Sequence, residues 1–322
     1  MSPDELQEIE ATVVELAQRA GELLLGYFDR PLQVDYKSAN SRNPVTEADH
    51  AVDEFLRTEI TQRYPEHSVI TEEFAGEPTG DSPIVWVIDP LDGTSNFLNG
   101  LPIFGVLIAV LEAGKPVASA IFIPSIKSPQ GRVIHARAGG GAFEGEERLS
   151  VVQETEPPRR MATFPSYFLR MFNFGPRLRR RLGDVRSIGS AGYELAMAAT
   201  GVFDYVVFNG PWVWDLAAGA LLVQEAGGRV VVYNRRSQHW DTFERFGMGP
   251  KGESPTYASL RRWQGTMMLG NQQAVDFISS GLGLKLYRLN RVRRRVLQRV
   301  AQLVGRSHAR GQSQGQGRSR RE

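Results

Sequence analysis

The chain contains no cysteine, which excludes disulfides, thiol catalysis and zinc sites with cysteine ligands. Only five histidines occur among its 322 residues, scattered without the spacing of a metal site. The longest apolar stretch, Ile103 to Leu111, is far shorter than the ~20 residues of a membrane-spanning helix. The N-terminal residues are acidic and lack the basic and apolar regions of a signal peptide. We therefore expect a cytoplasmic protein.

The net charge of +2 hides an uneven distribution of charged residues. From Lys285 to the C-terminus there are twelve lysines and arginines and one acid, which leaves residues 1–284 with a net charge of −9. Residues 285–305 carry apolar residues at helical spacing among many arginines, and are predicted to form a basic amphipathic helix. Residues 306–322 are too poor in apolar side chains to fold, so they are predicted to be a disordered basic tail.

Several partners suit this basic segment. An amphipathic helix rich in arginine can lie on an anionic membrane. Its extension of Arg, Gly, Gln and Ser can bind RNA or DNA through phosphate contacts that weaken with salt. The alternative is that its apolar stripe packs on the acidic body of the same chain or on another subunit. The sequence leaves these possibilities open.

The apolar pattern predicts helices and short strands in irregular alternation. Helices are predicted at 4–28, 46–60, 190–199, 214–226 and 274–280, and strands at 68–71, 84–88, 104–111, 117–123, 132–137, 141–143, 185–188 and 205–208. Residues 153–183 and 234–264 are predicted to be irregular. No G-x-G-x-x-G fingerprint or P-loop follows a strand. A mixed, layered α/β or α+β fold is expected rather than a doubly wound parallel sheet.

The most informative segment runs from Asp89 to Thr94, with the sequence D-P-L-D-G-T. It follows a buried strand, and Pro90 lacks a backbone donor, so the chain is expected to turn there. Two carboxylates beside a Gly-Thr turn suit a hard cation and a phosphate oxygen. Taken alone, the segment is equally well explained as an acid-rich turn that caps the next helix.

Three other acidic features accompany this turn. Asp49 lies in the first turn of a predicted helix, Glu72-Glu73 follows a short strand, and Asp215 opens another helix. Each alone is explained by a helix cap or a solvated acid. Together they form a set of oxygen ligands without histidine or cysteine, which is the set that Mg²⁺ prefers.

In this order, the motifs resemble those of the inositol monophosphatase family of magnesium-dependent, lithium-sensitive phosphomonoesterases. The shared pattern is D, E-E, D-P-[IL]-D-G-T and W-D-x-x-A-G, and the resemblance covers about residues 5–280. It implies an α/β (α+β) fold, a layered αβαβα sandwich of the inositol monophosphatase and fructose-1,6-bisphosphatase type. It further implies that residues 1–284 are the catalytic domain and that the protein is a homodimer.

The resemblance also implies two or three Mg²⁺ ions in each site. Glu72, Asp89 and the Leu91 carbonyl would hold the first ion. Asp89, Asp92 and Asp215 would hold the second, and Glu72 with water would hold a third and weaker one. Such ions can hold a phosphate, lower the pKa of a bound water and stabilise the leaving alkoxide.

The same resemblance implies roles around the attacking water. Thr94 Oγ, oriented by Asp49 and assisted by Glu72, would position the water and help to deprotonate it. The amides of Gly93 and Thr94 would bind phosphate oxygens, and Asp215 would also lie against the substrate. The implied reaction is hydrolysis of the phosphate monoester of a small metabolite by metal-activated water, as in an inositol-1-phosphatase.

The sequence departs from the family at the position that selects the substrate. Inositol-specific members have a glutamate seven residues before the W-D aspartate, and here that residue is Phe208. A phenyl ring cannot accept hydrogen bonds from sugar hydroxyls. Asn209 and Trp212 either contact the substrate or, with Phe208, only pack. Lys37 matches a family lysine near the metal site.

Other substrates and another class of function therefore remain open. The same core would serve a fructose-1,6-bisphosphatase, a histidinol-phosphatase or a nucleotide 3′-phosphatase. The arginine cluster at 177–181 could hold a second phosphate, or be a solvated face or subunit contact. The alternative of another class is a regulator associated with nucleic acid or membrane that acts through the basic tail.

Overall fold

The computed structural model describes residues 1–28, 30, 34–36, 44–74, 82–151, 158–248 and 253–285. Lys37, the predicted basic helix beyond Lys285 and the predicted tail lie outside these residues. No helix in the described ranges has the length and apolar character that crossing a membrane requires.

The described helices are α1 (Pro3–Tyr27), α2 (Glu47–Arg63), α3 (Thr94–Leu98), α4 (Phe168–Met171), α5 (Ala191–Ala199), α6 (Val213–Glu225), α7 (Tyr257–Arg261) and α8 (Gln272–Ser279). The strands are β1 (Val34–Tyr36), β2 (Pro44–Thr46), β3 (Ser68–Thr71), β4 (Ile84–Asp92), β5 (Gly105–Glu112), β6 (Lys115–Ser125), β7 (Ser128–Arg137), β8 (Gly141–Glu144), β9 (Glu147–Arg148), β10 (Met161–Thr163), β11 (Phe172–Phe174), β12 (Asp184–Arg186), β13 (Phe203–Trp212), β14 (Arg229–Asn234), β15 (His239–Thr242), β16 (Gln264–Gly270) and β17 (Leu282–Leu284). A short 3₁₀ helix spans Pro176–Leu178.

Two large sheets organise the chain. The first has seven strands in the order β3-β4-β5-β6-β7-β8-β9, and the second has six in the order β12-β10-β13-β16-β14-β15. In the first sheet only β3 and β4 pair in parallel, and the following strands form antiparallel hairpins. In the second, β10 runs parallel to both β12 and β13. The pairs β1-β2 and β11-β17 form two small additional sheets.

Three layers of helices cover these sheets. Helices α1 and α2 bury an apolar stripe on the outer face of the first sheet, around Trp86 and Phe104. Helices α5 and α6 lie between the two sheets, where Leu195 and Leu216 are fully buried. Helix α8 covers the far face of the second sheet, against Tyr205 and Met268. The predicted αβαβα layered sandwich is therefore confirmed, because each sheet face buries its apolar side chains against helices.

Most of the predicted elements occur, and the main differences lie in the second sheet. Strands β14 and β16 were absent from the sequence prediction, although β16 is central in that sheet. The stretch 234–264, predicted to be irregular, contains β15 and α7, and 153–183 contains β10, β11 and α4. These elements are short, so few residues are available to show a period.

The helix pair α5-α6 comes close together at Gly219, the glycine of the W-D-x-x-A-G motif. A Cβ atom at this position would lie 2.4 Å from the Cβ of Leu195 on α5. Only glycine therefore permits this helix spacing, which fixes where α6 and its first-turn residue Asp215 lie relative to α5.

We expect Gly219→Ala to lower the free energy of unfolding by about 1–3 kcal/mol, because the added methyl group overpacks the α5-α6 contact. Gly26→Ala is the matched control. A Cβ at Gly26 meets no described atom within 4 Å, so this helical substitution should be neutral or slightly stabilising. Urea unfolding of both variants measures the difference. Equal effects would show that the helices do not depend on this close approach.

Candidate active site

The site begins where β3 ends beside the middle of β4. The two strands run parallel, with Thr71 opposite Ile88. The residues that follow them, Glu72 and Asp89, therefore emerge at the same edge of the sheet. The amide of Glu72 donates a hydrogen bond to the Ile88 carbonyl (N···O 3.3 Å). Parallel pairing of two short strands thus brings these two predicted metal ligands together.

Strand β4 does not end at Ile88 as the sequence suggested, but continues to Asp92. Its pairing with β5 is regular as far as Asp89 and then shifts before Asp92. The irregularity contains Pro90, which has no amide to donate to the ladder. Asp89 and Asp92 consequently lie inside the protein, with exposures of 2% and 7%.

A left-handed glycine turns the chain from β4 into α3. Gly93 has φ +84°, and a Cβ on it would lie 2.9 Å from the Ile103 carbonyl oxygen. Any other residue would be both strained and crowded at this position. The turn leaves Thr94 as the first residue of α3, beside the pocket that the acids line.

The Asp92 carboxylate is held by the start of α5. The hydroxyl of Ser190 donates a short hydrogen bond to it. The amides of Ala191 and Gly192 also donate to it, at 2.9 and 2.8 Å. Sequence reasoning identified Ser190 only as the first residue of a helix. The signal it missed was that a helix start with free amides can hold an acid from another segment.

Asp49 is joined to Thr94 by one hydroxyl contact. Oδ2 of Asp49 accepts from the amide and hydroxyl of Thr46, at 2.7 and 2.6 Å, and so closes the N-terminal cap of α2. Its other oxygen, Oδ1, lies 3.4 Å from Thr94 Oγ1. That hydroxyl also donates to the Leu91 carbonyl at 3.0 Å. The predicted Asp49–Thr94 pair is therefore adjacent in space, although 45 residues separate it in the chain.

Asp215 approaches from the second half of the chain. It lies in the first turn of α6, and its Oδ2 accepts the Trp212 amide at 2.6 Å. The Trp212 and Trp214 rings on either side of this turn stack at 5.2 Å with an angle of 12° between them. The carboxylate thus forms part of one wall of the same pocket, together with two aromatic rings.

The converging groups enclose a pocket of about 270 Å³. Its lining consists of Glu72, Asp89, Leu91, Asp92, Gly93, Thr94, Ser95, Gly189, Trp212, Trp214 and Asp215. Every predicted metal-ligand residue is among them, and Asp49 lies behind Thr94. No lysine, arginine or histidine occurs among the described residues that line it. The described lining therefore offers a phosphate dianion carboxylates and no basic side chain, and a bound cation would offset that repulsion.

Burial and mutual repulsion raise the pKa of several of these acids. Loss of hydration raises the pKa of Asp92 to about 6, against the hydrogen bonds that favour its charged form. Asp215 is partly accessible from the pocket, yet burial still raises its pKa to about 8. The pKa of Asp89 lies well above its ordinary value because of burial and of the charges around it, Glu72 first. Burial also raises the pKa of Asp49.

This donor set fits a hard divalent cation in its chemistry. The ligating atoms on offer are carboxylate oxygens and the Leu91 carbonyl, and the clustered acids repel one another without a positive partner. Within the described part of the chain, no three acidic or histidine side chains already converge as one metal cluster. Asp92 and Asp215 are turned toward backbone amides and the Ser190 hydroxyl instead. Small side-chain rotations would therefore accompany binding.

A second pocket, of about 280 Å³, adjoins the first across Gly189. Phe208, at the position of the family's substrate-binding glutamate, lines it together with Asn209. Asn209 Oδ1 accepts a hydrogen bond from the hydroxyl of Thr266 at 2.7 Å. Trp212 lines the carboxylate pocket and is 39% exposed, and its contact with a substrate stays a prediction.

Glu194 is a buried acid of this second pocket that sequence reasoning missed. It accepts hydrogen bonds from the Thr163 hydroxyl at 2.7 Å and from the amides of Ile188 and Gly189 at 3.1 and 3.2 Å. Burial raises its pKa to about 7. The carboxylate therefore fixes the segment that separates the two pockets. In the sequence it is one acid within a helical pattern, which carries no signal of this role.

The arginine cluster at 177–181 lies elsewhere. The guanidinium groups of Arg177 and Arg181 both lie 5.9 Å from the ring centre of Phe277 on α8. None of the cluster lines either of the two pockets just described. A second phosphate site outside these pockets, a solvated helix face and a subunit contact therefore all stay predictions for this cluster.

The raised pKa values predict an unusual dependence of stability on pH. In the cation-free protein, the folded state binds more protons than the unfolded state between about pH 4, the ordinary value for aspartate, and the pKa values of about 6 and 8 at Asp92 and Asp215. The free energy of unfolding should therefore fall as pH rises through this window. A bound cation favours the charged acids and should remove most of the fall.

Thermal unfolding with and without excess Mg²⁺ measures this effect. The increase in Tm caused by Mg²⁺ should be larger near pH 8 than near pH 5, since the acids must lose protons to bind. Glu194 also has a raised pKa and contributes to the pH dependence of stability with and without Mg²⁺. The test is therefore the difference in Tm between the two conditions at each pH. An equal Mg²⁺ effect at both pH values would contradict a cation site at these acids.

Comparison with known proteins agrees with the acidic sequence motifs and with the layered fold. The family model described as the inositol monophosphatase family matches residues 5–263. Nus factor SuhB from Escherichia coli is 36% identical over 224 residues, which are 67% of this chain and 82% of that protein. Fructose-1,6-bisphosphatase/inositol-1-monophosphatase from Thermotoga maritima is 31% identical over 221 residues, covering 69% and 83%.

A solved structure has a similar fold. Extragenic suppressor protein suhB from Bartonella henselae superposes with a TM-score of 0.65 at 26% identity, and the match covers 84% of this chain and 96% of that one. The family match spans the acid motifs at 49, 72, 89–94 and 215 that define the pocket. The chain belongs to the inositol monophosphatase family.

Proposed function

We propose that this protein is a Mg²⁺-dependent phosphomonoesterase that hydrolyses the phosphate ester of a small metabolite. The observation that carries the proposal is the pocket in which Glu72, Asp89, Asp92 and Asp215 meet without a basic side chain among its described lining. Such a pocket repels a phosphate monoester unless divalent cations bridge the two. Thr94 beside the acids supplies a hydroxyl for the water.

In this proposal the acids divide between two principal cations. Glu72, Asp89 and the Leu91 carbonyl would hold one, and Asp89, Asp92 and Asp215 the other, with a third and weaker ion at Glu72. When bound, Mg²⁺ neutralises phosphate charge, lowers the pKa of bound water and stabilises the leaving alkoxide. Asp89 would be the ligand common to both cations, which agrees with its deep burial and the number of acids around it.

The proton of the attacking water would pass to Thr94 and Asp49. Thr94 Oγ1 lies between Asp49 Oδ1 and the Leu91 carbonyl oxygen, at 3.4 and 3.0 Å. If the hydroxyl turns to Asp49, its lone pairs face the pocket and can accept from water. Burial raises the pKa of Asp49, so this carboxylate is a stronger base than one in water. Glu72, which also lines the pocket, would assist.

The phosphate would be bound at the turn into α3. Gly93 and Thr94 form this turn, and both residues line the pocket. Helix α3 has only five residues, so the amides themselves, rather than a long helix dipole, would bind the oxygens. Asp215 on the facing wall would orient the leaving oxygen together with its cation.

The range of candidate substrates is narrower than membership of the family alone implies. The Thermotoga maritima relative is named for both fructose-1,6-bisphosphatase and inositol-1-monophosphatase activity, and histidinol-phosphatase or nucleotide 3′-phosphatase activity would use the same acids. Phe208 lines the pocket where a glutamate would bind inositol hydroxyls. We therefore expect inositol 1-phosphate to be a poorer substrate than esters that need fewer hydrogen bonds at this position.

A second candidate function is regulation through the basic segment. It is favoured by relatives named Nus factor SuhB and by the twelve basic residues from Lys285 onward. RNA, DNA and an anionic membrane are its candidate partners, and homodimerisation stays a prediction. Truncation after Leu284 should abolish RNA or liposome binding and leave phosphate release unchanged if this second function exists.

We expect Asp89→Asn and Asp215→Asn each to reduce phosphate release by more than about 100-fold, because partners of metal ligands alone are worth about 10- to 100-fold. Both variants should stay folded, since they remove repelling charges. Asp241→Asn is the matched control, because Asp241 lies on the exposed β14-β15 hairpin and binds Asn234. Wild-type turnover by Asp215→Asn at saturating Mg²⁺ would disprove this mechanism.

Thr94 offers a test of the proton path. Thr94→Ala should lower kcat by about 10²- to 10⁴-fold, the usual contribution of a general base pathway, while Thr94→Ser keeps the hydroxyl and most of the rate. Steady-state rates at saturating substrate distinguish the two variants. A serine variant as slow as the alanine variant would show that the methyl group, and not the hydroxyl, matters.

A further inference from the structure

The two adjoining pockets divide a substrate into two parts. The carboxylate pocket would take the phosphate, and the second pocket lies across Gly189 from it. If the rest of the substrate enters this second pocket, it lies along Gly189 and the segment Gly210 to Trp212. Pro211 lines the second pocket and Trp212 the first, so this segment borders the path from phosphate to leaving group.

Apolar groups dominate the second pocket. Phe164, Tyr167, Phe208 and Pro211 are among its lining residues. Phe164 is fully buried, and Tyr167 is 48% exposed at the entrance. A leaving group that enters this space meets ring faces and a proline ring, which favour apolar or aromatic surfaces.

Three polar side chains in this pocket already bind protein groups. Ser190 donates to Asp92 and accepts from the Tyr193 amide. Glu194 accepts three hydrogen bonds, and Asn209 Oδ1 accepts one from Thr266. These three groups have less capacity left for the hydroxyls of a polyol, and a hydroxyl that loses its water without gaining a new partner is costly.

Trp212 supplies a supported aromatic surface at the boundary between the pockets. One face stacks on Trp214, which is 8% exposed, while 39% of Trp212 remains accessible. The Trp212 amide is bound to the Asp215 carboxylate at 2.6 Å, and the Arg261 guanidinium lies 5.8 Å from the Trp214 ring centre. The exposed ring is therefore held in place beside an acid of the reaction pocket.

We propose that the alcohol released from the substrate carries a planar aromatic ring, which stacks on Trp212 and lies against Pro211 and Phe208. Trp212 is then a specificity-determining residue. The inference rests on the proposed phosphatase function and narrows its substrate class. A nucleoside and an imidazole-bearing alcohol share this chemistry, and the experiment below separates them.

The first measurement compares kcat/KM for adenosine 3′-phosphate, histidinol phosphate, inositol 1-phosphate and glycerol 2-phosphate, with the full chain and excess Mg²⁺. We expect kcat/KM for one of the two aromatic esters to exceed that for both esters without an aromatic ring. Trp212→Ala should reduce the ratio of the preferred aromatic ester to glycerol 2-phosphate by about 10- to 100-fold, the usual effect of removing one aromatic stacking partner. Trp212→Phe should retain most of this ratio.

The second measurement needs neither turnover nor metal. Titration with adenosine or histidinol should quench part of the tryptophan fluorescence, and Trp212→Phe should remove this part. Inositol at the same concentration should not quench. Thermal unfolding shows whether each variant is folded.

The two measurements separate the two proposals. If the aromatic alcohols quench the fluorescence but no ester is hydrolysed, the stacking site is supported and the phosphatase function is disproved. Hydrolysis with no preference for the aromatic esters, or with a ratio that Trp212→Ala leaves unchanged, would overturn the aromatic leaving group and keep the phosphatase.

Discussion

The contact between Asp92 and the start of α5 joins the two halves of this protein's site. Asp92 belongs to the first sheet, whereas Ser190, Ala191 and Gly192 begin the helix layer between the sheets. Three donors converge on one buried carboxylate, which would be costly to leave unpaired in this position. The packing of the two sheets and the shape of the pocket therefore depend on the same set of hydrogen bonds. Through Gly192, whose Cβ would lie 2.5 Å from Leu107, the helix is also held close to β5.

Burial makes the charged form of the acids around this contact costly unless a cation is bound. Burial raises the pKa values of Asp49, Asp89, Asp92 and Asp215 in the same direction. Burying these carboxylates removes their water, and hydrogen bonds offset part of that loss. Asp49 accepts from Thr46, Asp92 from Ser190, and Asp215 from the Trp212 amide. The arrangement is typical of a functional site, because a core designed for stability alone would avoid it.

Much of the site could be predicted from sequence, because its acids stand at ends of strands and helices. Ser68–Thr71 and the start of β4 were recognisable from their apolar runs, and parallel pairing brings Glu72 to Asp89. The roles of Ser190 and Glu194 were not predictable, since both depend on contacts with segments distant in the chain. Strand β16 was missed for a related reason: its apolar residues Met267, Met268 and Leu269 are buried on both faces and show no alternation.

The boundary between the two pockets consists largely of Gly189, held by Glu194 from behind. Its φ of +87° suits a residue without a side chain. Substitutions at Phe208 or Pro211, which line the second pocket and not the first, can therefore reshape one side of this wall without moving the acids on the other. In evolutionary terms, such a thin partition would let related chains diverge in the second pocket while the pocket lined by acids stays the same.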